Sequence, residues 1–155
     1  TKKKFFKFYS NDMLLKLLVI LLFLQIIVGA FVSGLDAGRI YQTWPLMNNN
    51  YFPDDISLAD FFNFNQPSFV QFFHRNIAYL IFFLSIVLGY KIYNKNELNL
   101  FTYFLIYFSI ILVQVLLGIL VLISGVNTYL ASMHQVSSIF LTISVINLYY
   151  RSIRS

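Results

Sequence analysis

Four long apolar stretches, joined by polar connections of unequal length, organise the chain. They run roughly from Met13 to Gly34, Phe69 to Tyr90, Leu98 to Ser124 and Tyr129 to Tyr150. Each reaches the ~20 mostly apolar residues that cross a hydrocarbon layer as a helix. In lipid such a run must be helical, because only a helix satisfies its own backbone hydrogen bonds within one segment. Between them lie a long outer loop from Leu35 to Ser68, a short connection from Lys91 to Glu97, and a tight turn from Gly125 to Thr128. The pattern predicts an all-α integral membrane protein, a four-helix transmembrane bundle forming one unit over residues 1–155.

Composition agrees. Hydrophobic residues make up 59% of the 155 positions and charged residues 11%, with a mean hydropathy of +0.72. A soluble domain is about half apolar and about a quarter charged. The net charge of +5 does not point to nucleic acid, because the basic residues are grouped by membrane side. Lys2, Lys3, Lys4, Lys7 and Lys16 open the first span, Lys91 and Lys95 join the second to the third, and Arg151 and Arg154 end the chain. The other side holds Arg39 with Asp36, Asp54, Asp55 and Asp60, and Arg75 just inside the second span. The positive-inside rule therefore puts both termini on the cytoplasmic or matrix side. Tyr9, Trp44, Tyr90, Tyr93, Tyr129, Tyr149 and Tyr150 mark the span ends as an interfacial belt. With no cysteine, disulfides, thiolate metal sites and thiol catalysis are excluded. The opening Thr1 suits the C-terminal part of a longer protein.

The first and third spans share a pattern. Gln25-x3-Gly29-x2-Val32 closes with Ser33-Gly34, and Gln114-x3-Gly118-x2-Val121 closes with Ser124-Gly125. Each is followed by a span carrying one early histidine, His74-Arg75 in the second and His134-Gln135 in the fourth. This reads as two pseudo-repeated helix pairs, related by a pseudo-twofold along the membrane normal.

The chain has two histidines, each five positions after the first residue of its apolar run. At ~1.5 Å per residue both lie roughly 7–8 Å below the outer boundary. Two imidazoles at one depth on helices of the same direction suit the axial ligands of a haem iron. Zinc usually takes a third or fourth protein ligand, and no other histidine or cysteine exists to supply one. The plainer reading is that each histidine bonds across helices, as intramembrane polar residues often do. Gln25 and Gln114 read as interhelical hydrogen-bonding groups rather than ligands. The small residues Gly29, Ser33, Ala78, Ser85, Gly89, Gly118, Ser137, Ser138 and Thr142 fit either a macrocycle slot or close helix packing. Arg75 has the fork geometry for a haem propionate; alternatively it pairs with Asp36 or snorkels to the interface. Asp54 to Phe62 reads as a short interfacial helix, acidic at its start, that either roofs the haem or only connects.

More specific is the stretch Gly29-Ala-Phe-Val-Ser-Gly-Leu-Asp-Ala-Gly-Arg-Ile-Tyr-Gln-Thr-Trp-Pro-Leu-Met47, with Phe52-Pro-Asp-Asp55 after it. Together with Gln71-Phe-Phe-His74-Arg75-Asn76-x-Ala78-Tyr79 and His134-Gln135 it resembles the haem A synthase family, in particular the C-terminal half of the mitochondrial and alphaproteobacterial type. The resemblance implies an eight-span parent of two four-helix halves that oxidises the C8 methyl of haem O to the formyl of haem A for cytochrome oxidase biogenesis. It implies that the N-terminal half holds the substrate and a catalytic glutamate, and that this half binds haem b through His74 and His134. The sole glutamate, Glu97, lies in a connection, so no catalytic residue is expected in this chain and the fragment alone is expected to be inactive. The implied partners are the lipid bilayer, haem and the N-terminal half, with haem O synthase, oxidase assembly factors or a second copy as further candidates. The implied setting is the bacterial plasma membrane or the mitochondrial inner membrane, with haem toward the periplasmic or intermembrane side. The rival function is a free-standing b-type cytochrome.

Overall fold

The computed structural model describes residues 13–57, 63–95 and 97–153. Lys2, Lys3, Lys4, Lys7, Tyr9, Asp60 and Arg154, and the end of the expected interfacial helix, lie outside the described residues. Four helices form: α1 (Met13–Gly34), α2 (Pro67–Asn94), α3 (Leu98–Ile123) and α4 (Thr128–Ser152), and all four are long and apolar enough to cross a membrane. Among the described residues the remaining regular element is a 3-10 turn over Ala37–Arg39.

The helix bounds follow local chemistry. α2 starts at Pro67, two residues before its apolar run, because proline's fixed φ and missing N–H suit the first helical turn. It runs past Tyr90 to Asn94, where Lys91 and Tyr93 reach beyond the apolar zone. α4 starts at Thr128 because the Asn127 side chain accepts from the backbone N–H of Tyr129 and Leu130. Before it, Gly125 (φ 72) and Val126 (φ 63) are both left-handed, which ends α3 sharply. The acidic stretch departs from expectation. Asp54 and Asp55 sit in a turn and Ile56–Ser57 is not helical, because both carboxylates are held by groups at the base of the loop, described below.

α1 packs on α2 and α3 on α4, and the two pairs meet through α1–α4 and α2–α3. The helices thus form a ring in which α2 and α4 occupy one diagonal. The ring's interior is a continuous apolar cluster that includes Leu18, Leu22, Val28, Val70, Ile77, Ile81, Ile111, Leu141, Val145 and Leu148. The outward faces are also apolar: Ile20 is 64% exposed, Phe83 61% and Leu116 60%. Such a surface suits lipid and would be costly in water. Of the aromatics near span ends, Tyr90, Tyr93 and Tyr129 are exposed, but Tyr149 is buried. A helix turns ~100° per residue, so of the pair Tyr149 and Tyr150 one faces the bundle.

The half of the bundle away from the loop is held by α2 against α3. Ser85 donates to the Ile81 carbonyl and shares a 2.7 Å hydrogen bond with the buried Tyr107 hydroxyl. Gly89 lets the Phe104 ring lie directly on its backbone: a Cβ there would come within 2.4 Å of Phe104 Cζ. Ser85 and Gly89 are therefore packing residues of the α2–α3 seam. Since Phe104 is itself stacked on Phe101 and Phe108, Gly89→Ala is expected to cost about 1–3 kcal/mol through overpacking. A lower unfolding temperature in detergent, restored by the double variant Gly89→Ala/Phe104→Leu, checks this; an unchanged temperature in the single variant contradicts it.

Candidate functional site

His74 is seven residues into α2 from Pro67, and His134 six into α4 from Thr128. At ~1.5 Å per residue the two rings stand at similar depths, about 9–11 Å from their helix starts. They sit on the diagonal pair of helices. Both side chains are largely enclosed by protein, and the Nδ1 atom of each is buried without a hydrogen-bond partner.

Each ring is met from the preceding helix in the same way. The Gln25 amide nitrogen on α1 lies 3.2 Å from His74 Nε2 and donates to the His74 carbonyl at 3.1 Å. The Gln114 amide nitrogen on α3 lies 3.4 Å from His134 Nε2 and donates to the His134 carbonyl at 3.2 Å. One turn further along, a glycine lies against the ring. A Cβ on Gly29 would come 3.2 Å from His74 Cε1, and one on Gly118 would come 3.1 Å from His134 Cε1. The Gln-x3-Gly spacing thus sets a polar group and an open patch of backbone on one helix face, four residues apart. The interhelical role read for the two glutamines from sequence has named partners here.

The small hydroxyl residues after His134 divide. Ser137 donates to the Gln114 side-chain oxygen and to the His134 carbonyl. Ser138 and Thr142 bond to carbonyls of their own helix. A shallow apolar cavity of about 380 Å³, lined by Ser109, Ile110, Val113, Ser137 and Phe140, opens beside this stretch between α3 and α4.

Arg75 does not pair with Asp36. Its Nη1 donates to the carbonyls of Thr43 (3.0 Å) and Leu46 (3.4 Å), and its Nη2 to that of Tyr41 (2.9 Å). Asp36 pairs instead with Arg39 on the surface. Arg75 Nε is buried and unpartnered. One turn earlier Gln71 also donates to the Tyr41 carbonyl, at 2.9 Å. The Tyr41 hydroxyl bonds to Asp54 and Asp55, Ser68 bonds to Asp55, and Tyr51 bonds to Asn76. Tyr51 and Phe52 lie edge-on to Phe72. The outer loop is thereby fastened to the first three turns of α2 beside His74. It also touches the α3–α4 turn, where Gly38 leaves room for Val126.

Tyr41 and Gln71 are site residues that sequence reasoning did not single out. The available signal was Gln71 at four residues from Arg75, hence on the same helix face. Tyr41 carried none, because its role depends on where the loop returns.

Among the described residues no group of three or more histidine, cysteine, aspartate or glutamate side chains converges as a metal cage. What the bundle offers is two imidazoles on opposite helices, each with one ring nitrogen unengaged by protein and a glycine beside it. The unengaged Nδ1 of each ring is buried beside that glycine, and Nε2 faces the glutamine amide.

The family described as cytochrome oxidase assembly protein matches residues 9–146. The chain is 44% identical over 153 residues to the haem A synthase of Pelagibacter ubique (strain HTCC1062), covering 97% of the chain and 45% of that protein. It is 36% identical over 129 residues to that of Maricaulis maris (strain MCS10), covering 81% and 38%, and 35% identical over 136 residues to that of Rickettsia africae (strain ESF-5), covering 85% and 40%. The chain spans less than half the length of these relatives.

Burial, and then the carboxylates of Asp54 and Asp55, push the Tyr41 phenol above its ordinary 10.0. A raised value means that the protonated phenol contributes stability fully below pH 10, and that this is lost only as pH rises through the shifted value. Loop attachment should therefore be constant from neutrality to about pH 10 and loosen above it. Tyr41→Phe should loosen it at every pH, by about 1–3 kcal/mol. Hydrogen exchange of residues 41–57 reads both, and unchanged protection in the variant refutes the anchor.

Proposed function

The chain belongs to the haem A synthase family of cytochrome oxidase assembly proteins, and from that membership we propose that it is the C-terminal, haem b-binding half of such an enzyme. The observation that carries this reading is the pair of enclosed imidazoles on the diagonal helices α2 and α4, each backed by a glutamine and a glycine from the helix before it.

In this reading His74 and His134 are the two axial ligands. Haem b, when bound, supplies one-electron chemistry, and two imidazoles favour a low-spin iron suited to electron transfer. The residues of this chain hold and shield it. Gly29 and Gly118 bring helix backbone to the ring edges, and the core around Val70, Ile77 and Val145 keeps water out. Arg75 lies one residue from His74 and keeps its Nε–H free for a propionate carboxylate, while its other donors fix the loop above. The whole enzyme is proposed to oxidise the C8 methyl of haem O to a formyl group, with substrate and catalytic glutamate in the other half. None of the four spans contains a glutamate, Glu97 standing at the start of α3, so this half is not assigned the oxidation itself.

The matched contacts of the two halves support a duplication of one helix pair. Gln25, Gly29 and His74 correspond to Gln114, Gly118 and His134, so the pairs are proposed to be related by a pseudo-twofold along the membrane normal. The basic residues Lys91, Lys95 and Arg151 favour a cytoplasmic or matrix location for the termini. That puts the histidines and loop on the periplasmic or intermembrane side. The membrane is proposed to be the bacterial plasma membrane or the mitochondrial inner membrane. The proposed partners are haem, the N-terminal half, haem O synthase, oxidase assembly factors and a second copy.

His74→Ala and His134→Ala should each abolish a low-spin b-type spectrum in detergent-purified protein; an intact spectrum in either variant removes that residue as a ligand. Arg75→Ala should keep the spectrum but release haem about tenfold faster, the scale of one charged hydrogen bond. Unaltered release and midpoint potential would retire the propionate assignment.

A further inference from the structure

We propose that the segment from Thr43 to Phe52 is seated in lipid: it hangs down the outward face of α2, in the headgroup and upper acyl layer of the leaflet on the loop side. Nothing bound at the histidines bears on it.

Spacing defines the face. Phe72, Asn76, Tyr79 and Phe83 recur at intervals of four, three and four residues, so they form one stripe along α2. The lower members, Tyr79 and Phe83, are exposed as lipid-facing residues are. The upper members are covered by the loop. The Tyr51 and Phe52 rings stand edge-on to Phe72 at 5.6 and 5.2 Å, and the Tyr51 hydroxyl bonds to Asn76. Phe72 and Asn76 come three and seven residues after Phe69, where the apolar run opens. At ~1.5 Å per residue they lie roughly 4 and 10 Å below its boundary. The loop therefore comes down outside the bundle, where acyl chains would otherwise cover the stripe. Loop and helix present one continuous apolar surface there, the covered positions running directly into Tyr79 and Phe83.

Composition and hydrogen bonding suit that place. No charged residue occurs between Arg39 and Asp54, and the apolar Trp44 and Leu46 are 46% and 41% exposed. Backbone groups of the segment are answered from within the protein. Arg75 donates to the carbonyls of Tyr41, Thr43 and Leu46. Met47 and Asn50 pair through both backbone groups, and the Thr43 hydroxyl donates to the Leu46 carbonyl and accepts from the Asn48 N–H. Pro45 has no N–H to satisfy. Irregular backbone is tolerated at membrane depth when protein satisfies it in this way; a loop standing in water is under no such demand. The exposed run Asn48 to Asn50 limits the depth and keeps that corner among headgroups. Trp44 is remote in sequence from both neighbouring helix ends, Gly34 and Pro67, so loop folding makes this seat rather than an aromatic closing a span.

Trp44 is the sole tryptophan, so its emission tests the seat directly. The full chain is reconstituted in phosphatidylcholine vesicles, with iodide on both sides of the membrane as the aqueous quencher. Emission should be blue-shifted from that of tryptophan in water and should resist iodide. Lipid brominated high on the acyl chain should quench it more than lipid brominated near the chain end. Emission open to iodide and untouched by brominated lipid overturns the proposal and leaves the loop in water. Emission resistant to both quenchers overturns it also, and puts a protein partner or a second copy over Trp44. Tyr51→Ala, at an exposed position outside the core, should weaken bromolipid quenching and raise iodide quenching, because it frees the loop from Phe72 and Asn76. Arg75→Ala should do so more strongly, since three carbonyls lose a donor. Wild-type quenching by both reagents in the variants that fold overturns the assignment of these contacts as the seat.

Discussion

A hydrocarbon layer offers no hydrogen bonds, so every polar group that crosses it must be answered from within the protein. The bundle answers its two imidazoles in one way, with an amide from the neighbouring helix. Much of the architecture follows from that need. The amide must reach both a ring and a backbone carbonyl, which requires α1 close to α2 and α3 close to α4. Glycines one turn along permit that approach. The two tight pairs then meet along α1–α4 and α2–α3, which sets the histidine-bearing helices on a diagonal.

Polar groups are rationed by depth. Near the outer ends, two carboxylates, a tyrosine, an arginine and a glutamine form a connected network. Toward the other end, the hydroxyls of Ser85 and Tyr107 satisfy one another and a backbone carbonyl, Ser144 and Ser152 bond to carbonyls of their own helix, and Phe packs on Phe and on Gly. The chemistry of the chain is thus concentrated in one leaflet. The other leaflet is packed for adhesion.

The helices were legible because hydrophobic run length is a direct readout of bilayer thickness. The histidines were legible because they are two, at one depth, each behind a repeated Gln-x3-Gly. What stayed hidden depends on how the loop folds back. Arg75 looked like a partner for an acid, and Asp54 with Asp55 looked like the start of a helix. In the structure the arginine grips carbonyls and the two acids hold a tyrosine hydroxyl. Both contacts run through one residue, Tyr41, whose carbonyl and phenol serve opposite ends of the network. Helix periodicity cannot locate a residue that acts through loop closure. Ser85 and Gly89 were ambiguous for a different reason: small side chains look alike whether they admit a ligand or a neighbouring ring.

The fastening of the loop to α2 has a mechanical meaning. Gln71, Arg75 and Asn76 grip the loop from the same two turns that present His74, so the polypeptide over the water-facing mouth and the imidazole beneath it form a single lever. His134 has no such attachment on its own helix, where a short turn capped by Asn127 leads directly into α4. The loop therefore bears on α2 through hydrogen bonds and on the turn before α4 through packing of Gly38 against Val126, so the two histidine helices are tethered to it by different means.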